Sequence, residues 1–407
     1  MANTVLSSLL FEYDTVKFIT IKSRTVGLLS RFIQLVIIGY LIGYVIVWKK
    51  GYQEFSAVES AVTTKVKGVI YTNFSESEFH PGIDKSLYDR IWDVEDLIIP
   101  PSENDAFFVT TNVEVTPIQK KGRCAEDPGI PEAACTPENN SCVQGTRLMV
   151  GNGVMTGNCI KNERENYSCE IEAWCPVERD VMPLKNGALL TETKNFTVLI
   201  KNSVDFPKFK VRRRNIIDSI NNETYLQNCR YSQDEDPDCP VFILGDIIHY
   251  VNEDEKANGH TPMDYDEIAI KGGVISIIIS WDCNLDLDQK YCLPKYSFRR
   301  LDDPEAKISD GWNFRYAHYS NDTRALYKAY GIKFVVQVHG QGGKFSPFPL
   351  FLNIGSGLAL LAVQTYICDL VILYFLKNRK HYRNTKYETV ISEEDSIDPG
   401  PGFTRFK

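Results

Sequence analysis

Two windows break an otherwise mixed pattern of hydrophobic and polar positions. Phe32 to Trp48 (FIQLVIIGYLIGYVIVW) runs seventeen positions without a charge, and Phe345 to Leu376 holds only Asp369 in thirty-two. A helix needs about 20 apolar residues to cross ~30 Å of hydrocarbon, so each window predicts a membrane span, the first with Arg31 and Lys49 snorkelling at its ends. The spans are expected at 26–48 and 347–376. Between them, period-two alternation predicts strands over Ala106–Val115, Phe196–Lys201, Gly273–Trp281 and Tyr330–Gly340, where Ile332, Phe334, Val336 and Val338 share a face. Long helical periodicity is not seen there. The expected fold is an α+β membrane protein: two transmembrane helices around a large β-rich domain at 49–346. A short lead (1–25) precedes it, and a tail (377–407) with an acidic, Gly/Pro-containing end reads as disordered.

Charge and cysteine usage orient this arrangement. A cleaved signal peptide is disfavoured by the thirty or so largely polar residues ahead of the first span and by the lack of a small-residue cleavage site after Trp48. Lys17, Lys22, Arg24 and Arg31 precede helix one, and Lys377, Arg379, Lys380, Arg383 and Lys386 follow helix two, which points both termini to the cytosol; Lys49 and Lys50 blur the rule. Ten of eleven cysteines (Cys124, Cys135, Cys142, Cys159, Cys169, Cys175, Cys229, Cys239, Cys283, Cys292) lie between the spans, none spaced as CxxC, which favours disulfides in an oxidising compartment over zinc. Six fall within 124–175, predicting a loop-rich module held by bridges rather than by a core, and Cys229/Cys239 and Cys283/Cys292 are spaced to close local loops. Sequons at Asn73, Asn139, Asn166, Asn195, Asn222 and Asn321 all lie in the same segment, as expected of a glycosylated outer domain at the plasma membrane. A net charge of −8 argues against a nucleic-acid partner. No Walker loop, HExxH or GxSxG is present, and neither tail is long enough to hold an enzyme.

The membrane segments carry candidate chemistry. Asn353, Ser356, Leu360 and Gln364 fall within about 80° on helix two, a polar stripe that would line a pore if several copies assemble, or hydrogen-bond between helices if they do not. Asp369 falls on about the opposite side and is read as structural, and Gly39 and Gly43 form a small-xxx-small pair in helix one. In the outer domain Lys65 and Lys67 alternate by two, so a strand would aim both the same way and toward an anion; a solvated face is the plainer reading of such a pair. The same holds for Lys201, Asn313, Arg315, Lys328 and the run Lys208–Arg214. His80, His249 and His260 lie in loop-like stretches without metal-ligand spacing, so no metal site is assigned.

Taken together the segments resemble the ATP-gated cation channels, the ionotropic purinoceptor family, over nearly the whole chain. The resemblance is carried by Tyr52–Gly68 (GYQEF…VTTKVKG), Arg90–Pro101 (RIWDVEDLIIPP), Asn195–Asn202 (NFTVLIKN), Pro207–Asn215, Asp236–Pro240, Trp281–Asp286 (WDCNLD), Tyr296–Leu301 (YSFRRL), Asn313–Arg315, Tyr330–Phe334, Gly340–Phe345 and LNIGSGLALL…ICDL. Thr15-Val16-Lys17 and Tyr382…Lys386 also match short family motifs. It implies a homotrimer in a lipid bilayer, passing Na, K and Ca, with three ATP sites between neighbouring subunits. Lys65, Lys67 and Thr197 of one subunit would face Asn313, Arg315 and Lys328 of the next, with Thr197 toward the adenine and Lys201 at the rim. Leu352, Asn353, Ser356 and Ala359 would form the pore and gate. ATP, bare or with Mg, is implied as an agonist and no cofactor is. The implied bridges are Cys124–Cys175, Cys135–Cys159, Cys142–Cys169, Cys229–Cys239 and Cys283–Cys292. Glu76–Asp89 and His249–Tyr265 are longer than the family pattern and are expected to be extended loops.

Three other readings compete with this one. A proton- or peptide-gated trimeric sodium channel would share the spans, the cysteine-rich domain and a G-x-S element, here Gly355-Ser356-Gly357. A nucleotide-binding ecto-enzyme would use the basic residues as a substrate clamp, without any recognisable nucleophile or metal constellation. A non-conducting adhesion protein would leave the polar stripe of helix two unexplained.

Overall fold

The structure, a computed structural model, describes residues 24–375 apart from 163–165, 218–221, 258–261, 305 and 307. The basic flank at 377–386, the rest of the tail to 407, Lys17, Lys22 and His260 lie outside the described residues. The chain divides into two compact units, one made of its two ends and one spanning Phe55–Gly343.

In the first unit, α1 (Arg24–Gly39) continues as a π-helix over Tyr40–Trp48, and a later helix over Pro347–Leu370 continues as a π-turn over Val371–Phe375. Both meet the length and hydropathy of a membrane span, Val26–Trp48 with 23 residues and Pro347–Phe375 with 29. They pack on each other where side chains are smallest: a Cβ on Gly357 would sit 2.4 Å from Leu41 Cδ2, and Val26, Cys368 and Ile372 bury one another. Gly39 and Gly43 have open space around them, so this pairing does not use them. Most apolar side chains of both helices are exposed, Leu35 and Phe351 each at 69%, as spans facing lipid or further helices require.

The second unit is built from strands β1 (Gln53–Ala57), β2 (Glu59–Lys67), β3 (Ile70–Tyr71), β4 (Ile91–Trp92), β5 (Ala106–Ala125), β6 (Val154–Lys161) and β7 (Tyr167–Cys175). It continues with β8 (Thr197–Phe206), β9 (Val211–Arg214), β10 (Val241–Ile243), β11 (Gly273–Asn284), β12 (Lys295–Arg300), β13 (Asn313–Ser320) and β14 (Thr323–Phe345). The larger sheet runs β12-β11-β14-β5-β7-β6, with β13 and β1 also on β14; the smaller runs β10-β8-β2, with β9 also on β8. Each of the four expected strand segments falls within or at the edge of an observed strand, and Ile332, Phe334 and Val336 are buried on one face. The sheets meet around Trp281 of β11, fully buried, whose indole Nε1 donates to Asn202 Oδ1 of β8 at 2.7 Å. Further along the larger sheet, Phe107 of β5 and Phe334 of β14 stack at 4.9 Å between ring centres.

β5 and β14 come too close for any side chain at one position. A Cβ on Gly331 would lie 2.1 Å from the Val109 carbonyl oxygen, a backbone atom that cannot swing away. Gly331→Ala is therefore expected to cost several-fold or more in surface expression, measured by surface biotinylation; wild-type expression would show that the two strands can separate.

Several expectations change in the folded chain. His249–Tyr265 is helical at both of its described ends: α2 (Val94–Leu97) and α3 (Glu223–Asn228) are short, but α4 covers Leu244–Ala257 and α5 covers Tyr265–Lys271. Leu244, Ile247, Ile248 and Val251 are buried at helical spacing, a signal the charged run after Asn252 obscures. Glu76–Asp89 forms two single 3₁₀ turns, the first capped reciprocally by Ser75 and Glu78, and tucks Phe79 and Tyr88 into the core. The module at 124–175 has a small core after all, with Ile130, Met155 and Ile171 around Cys142 and Cys169. Three disulfides close it, Cys124–Cys175, Cys135–Cys159 and Cys142–Cys169, and Cys229–Cys239 and Cys283–Cys292 close short loops elsewhere in the domain. All six sequon asparagines are exposed.

Candidate functional site

β2 pairs antiparallel with β8, setting Lys67 opposite Thr197, Lys65 opposite Leu199 and Thr63 opposite Lys201. Directly opposed residues share a face, and β8 alternates strictly, with Val198, Ile200, Asn202 and Val204 buried beneath. Lys65, Lys67, Thr197 and Lys201 are therefore held together on one outward face. Neither Lys65 nor Lys67 has a carboxylate partner among the described residues, so two like charges stand side by side on a rigid strand. Beneath them Gly68 is pressed against the Phe196 ring, where a Cβ would fall 2.1 Å away.

The second set lies on the larger sheet. β13 and β14 form a hairpin placing Arg315 opposite Lys328 and Asn313 opposite Tyr330, so these four side chains also share a face. Here the cations are paired. Arg315 Nε donates to Glu178 Oε2 at 2.7 Å, while Lys328 Nζ contacts Asp180 and lies 3.8 Å from Glu114 Oε2 and 4.9 Å from the Tyr330 ring centre. Burial would raise Asp180, but the hydrogen bond and charge of Lys328 outweigh it and hold the carboxyl below its usual range. Burial pushes Glu114 up to about 7, against the pull of Lys328 and with the push of Asp180. Glu178 and Asp180 follow the Cys175–Pro176 corner at period two, the same spacing that flags Lys65 and Lys67. Because they sit in an irregular stretch, nothing in the sequence aimed them at the hairpin.

No hydrogen bond or ion pair joins the two sets among the described residues. In helix two, which we number α6 (Pro347–Leu370), Asn353 Nδ2 donates to Gly51 O at 2.7 Å and Gln364 Nε2 to Ser30 Oγ. Half of the polar stripe is thus spent on the polypeptide around helix one. Leu352, Ser356 and Ala359 remain exposed, with Ser356 Oγ donating back to Asn353 O.

Two consequences can be measured. Arg315 and Glu178 form a partly exposed pair, the kind that contributes about 0–1 kcal/mol. An anion binding Arg315 must displace Glu178, so Glu178→Gln should tighten a phosphate-bearing ligand two- to fivefold in dose–response measurements; a weakened response would mean that Glu178 aligns Arg315 for its ligand. Glu114 has a folded-state pKa above its ordinary 4.5, so the stability it contributes is full below that value and is lost as pH rises through about 7. Over the same window its ionised form competes for Lys328. The ratio of the EC50 for a phosphate-bearing ligand in wild type to that in Glu114→Gln should rise between pH 6 and 8, a ratio in which protonation of the ligand itself cancels. A flat ratio would show that Glu114 does not titrate there.

Two candidate membrane spans, a disulfide-held β domain and two cationic strand faces are the features of a membrane receptor for an anionic ligand. The sequence model of the ATP P2X receptor matches residues 11–389. The chain is 44% identical to mouse P2X purinoceptor 4 over 401 residues, covering 97% of both chains, and 42% identical to human P2X purinoceptor 5 over 95% of this chain and 83% of that one. Among solved structures it resembles an invertebrate P2X receptor from the Gulf Coast tick, determined with ATP and Zn2+. That match has a TM-score of 0.78 and 52% identity over 84% of this chain and 100% of that one. It also resembles the chicken ATP-gated P2X7 receptor channel with the competitive antagonist TNP-ATP, with a TM-score of 0.70 and 34% identity over 86% and 100%. The chain belongs to the ATP P2X receptor family.

Proposed function

We propose that this chain forms a homotrimeric, plasma-membrane, ATP-gated channel for Na, K and Ca, with both termini cytosolic and ATP bound between neighbouring subunits. The observation that carries the reading is the cationic face of β2 and β8, where Lys65 and Lys67 stand together without acidic partners. Opposite charge is missing from a place where strand geometry forces like charges together, and a triphosphate supplies it. Lys65 and Lys67 hold the phosphates, Thr197 meets the adenine and Lys201 stands at the rim. Arg315, Lys328 and Asn313 of the next subunit close the cleft, exchanging Glu178 and Asp180 for phosphate oxygens. Mg accompanies ATP as a counter-ion, and no bond in ATP breaks.

The energies suffice. Charge-assisted hydrogen bonds contribute about 1.5–3 kcal/mol each, so four basic residues supply the roughly 8.2 kcal/mol of a micromolar complex. Shifting a channel from 1% to 99% open takes about 5.5 kcal/mol of differential affinity, or roughly 2 per site over three sites. Closing the cleft draws on β14, which leads through Ser346 into α6, and the three copies of α6 part around Leu352, Asn353, Ser356 and Ala359.

Whole-cell recording during rapid ATP application, with surface expression confirmed, tests the proposal. An inward cation current evoked by micromolar ATP and not by a step to pH 5 is the expected result. A surface-expressed chain silent to millimolar ATP would sink it.

A further inference from the structure

A second concentration of positive charge lies on the smaller sheet, away from Lys65 and Lys67. Arg212, Arg213, Arg214 and Lys290 line a cavity of about 510 Å³ with Ser203 and one acid, Asp288. The chain as a whole carries a net charge of −8, so general basicity does not explain four cations around one concavity.

Strand register ties this cavity to the face already described. β9 pairs with β8 through Ser203 opposite Arg214 and Asp205 opposite Arg212. By the same alternation that aligns Lys65, Lys67, Thr197 and Lys201, the side chains of Ser203, Arg212 and Arg214 leave on that outward face. Arg213 takes the opposite side of this edge strand, where its Nε donates to Cys292 O at 3.4 Å, in the loop closed by Cys283–Cys292. At about 3.3 Å per residue and 4.8 Å per strand, the backbones of Arg214 and Lys65 are roughly 16 Å apart, so the cluster is a separate concentration of charge on the sheet.

The ion pairs already present there are exchangeable. Arg212 Nε meets Asp205 at 3.0 Å with its own side chain 84% exposed, and Lys290 Nζ is 3.6 Å from Asp288 with both side chains mostly exposed. The Asp288 carboxyl is held below its usual range, first by the Lys290 backbone N–H and further by the charges of Lys290 and Arg213. Exposed pairs of this kind contribute little, whereas guanidinium groups bind phosphoryl oxygens through two parallel hydrogen bonds.

We propose that this cavity is a second anion site, specific for polyphosphate groups and independent of any base, lying at the β9 edge of the smaller sheet and lined by Arg212, Arg213, Arg214 and Lys290. The assignment needs no part of the gating scheme, because the cavity stands whether or not Lys65 and Lys67 bind ATP.

Calorimetric titration of inorganic tripolyphosphate into the purified full-length protein carrying Lys65→Ala and Lys67→Ala tests it. Saturable binding is expected to survive in that background and to fall at least tenfold when Arg212→Gln and Arg214→Gln are added. Lys290→Glu, on an exposed loop, should weaken it similarly if the arginine variants fail to fold. Competition by ATP in the same background would mark the phosphate chain of nucleotides as a source of the ligand, and indifference to ATP would mark free polyphosphate; either supports the site. Absence of saturable binding in the background lacking Lys65 and Lys67, or binding untouched by the arginine and Lys290 changes, would reduce the cluster to a solvated basic face. Neither result bears on ATP currents of the wild type, so failure here is distinguishable from failure of the gating proposal.

Discussion

Lys65→Ala and Arg315→Ala should each raise the ATP EC50 by about ten- to 150-fold with surface expression intact, since each removes one charge-assisted contact of about 1.5–3 kcal/mol. The sharper result comes from expressing the two variants together. Lys65 and Arg315 stand on different sheets with no contact joining their sets, so a site shared between subunits must take one from each chain. In every mixed trimer one interface then joins an intact Lys65 to an intact Arg315, and a partial current should return at ATP concentrations where either variant alone is silent. Recordings without any rescue would place both residues in a site within one chain. Lys65 is fully outside the core, so a trafficking defect in Lys65→Ala would point away from ligand binding.

Lys328→Met is expected to do two kinds of damage that can be separated. The Lys328 and Glu114 side chains are each only 6% exposed, and removing one partner of such a pair costs about 3–5 kcal/mol, less whatever Glu114 recovers by taking up a proton. The single variant should lose both ATP response and most of its surface protein. Adding Glu114→Gln removes the stranded acid, so the double variant should return to the surface while its ATP response stays at least tenfold weakened. Normal surface levels for Lys328→Met would deny the structural role, and a wild-type EC50 in the double variant would deny the ligand role.

How much of this could be read in advance depended on periodicity and on distance along the chain. Spans and strands announce themselves locally, so Phe32–Trp48, Gly273–Trp281 and Tyr330–Gly340 fall where their patterns place them. Lys65 and Lys67 were visible for the same reason, as a period-two pair within one strand. Helix α4 was hidden because only its first half is amphipathic, and its acidic second half reads as solvent-exposed chain. The acids Glu178 and Asp180 lie more than 130 residues from Arg315 and Lys328. Their meeting is a property of sheet topology, which no local window contains. Cysteine spacing likewise left the connectivity within 124–175 open. Asn353 and Gln364 were legible as a stripe, but the sequence could not say whether their amides would turn to a pore or to the first helix.

β14 carries Lys328 near one end and reaches Phe345 at the other, 23 residues in a single strand. At about 3.3 Å per residue that is a strut of roughly 75 Å. Its far end is rich in glycine, with Gly340 at φ +143° and Gly342 and Gly343 close behind, and alone it would buckle. β11 splints it in parallel through twelve consecutive residues, from Gly273 beside Ile332 to Asn284 beside Gly343. Beyond Gly343 the splint ends. β1 also pairs with β14, and Ser346 N donates to Tyr52 O at 3.0 Å, so the glycine-rich end of the strand, which could not hold its course alone, is braced past Gly343 as well.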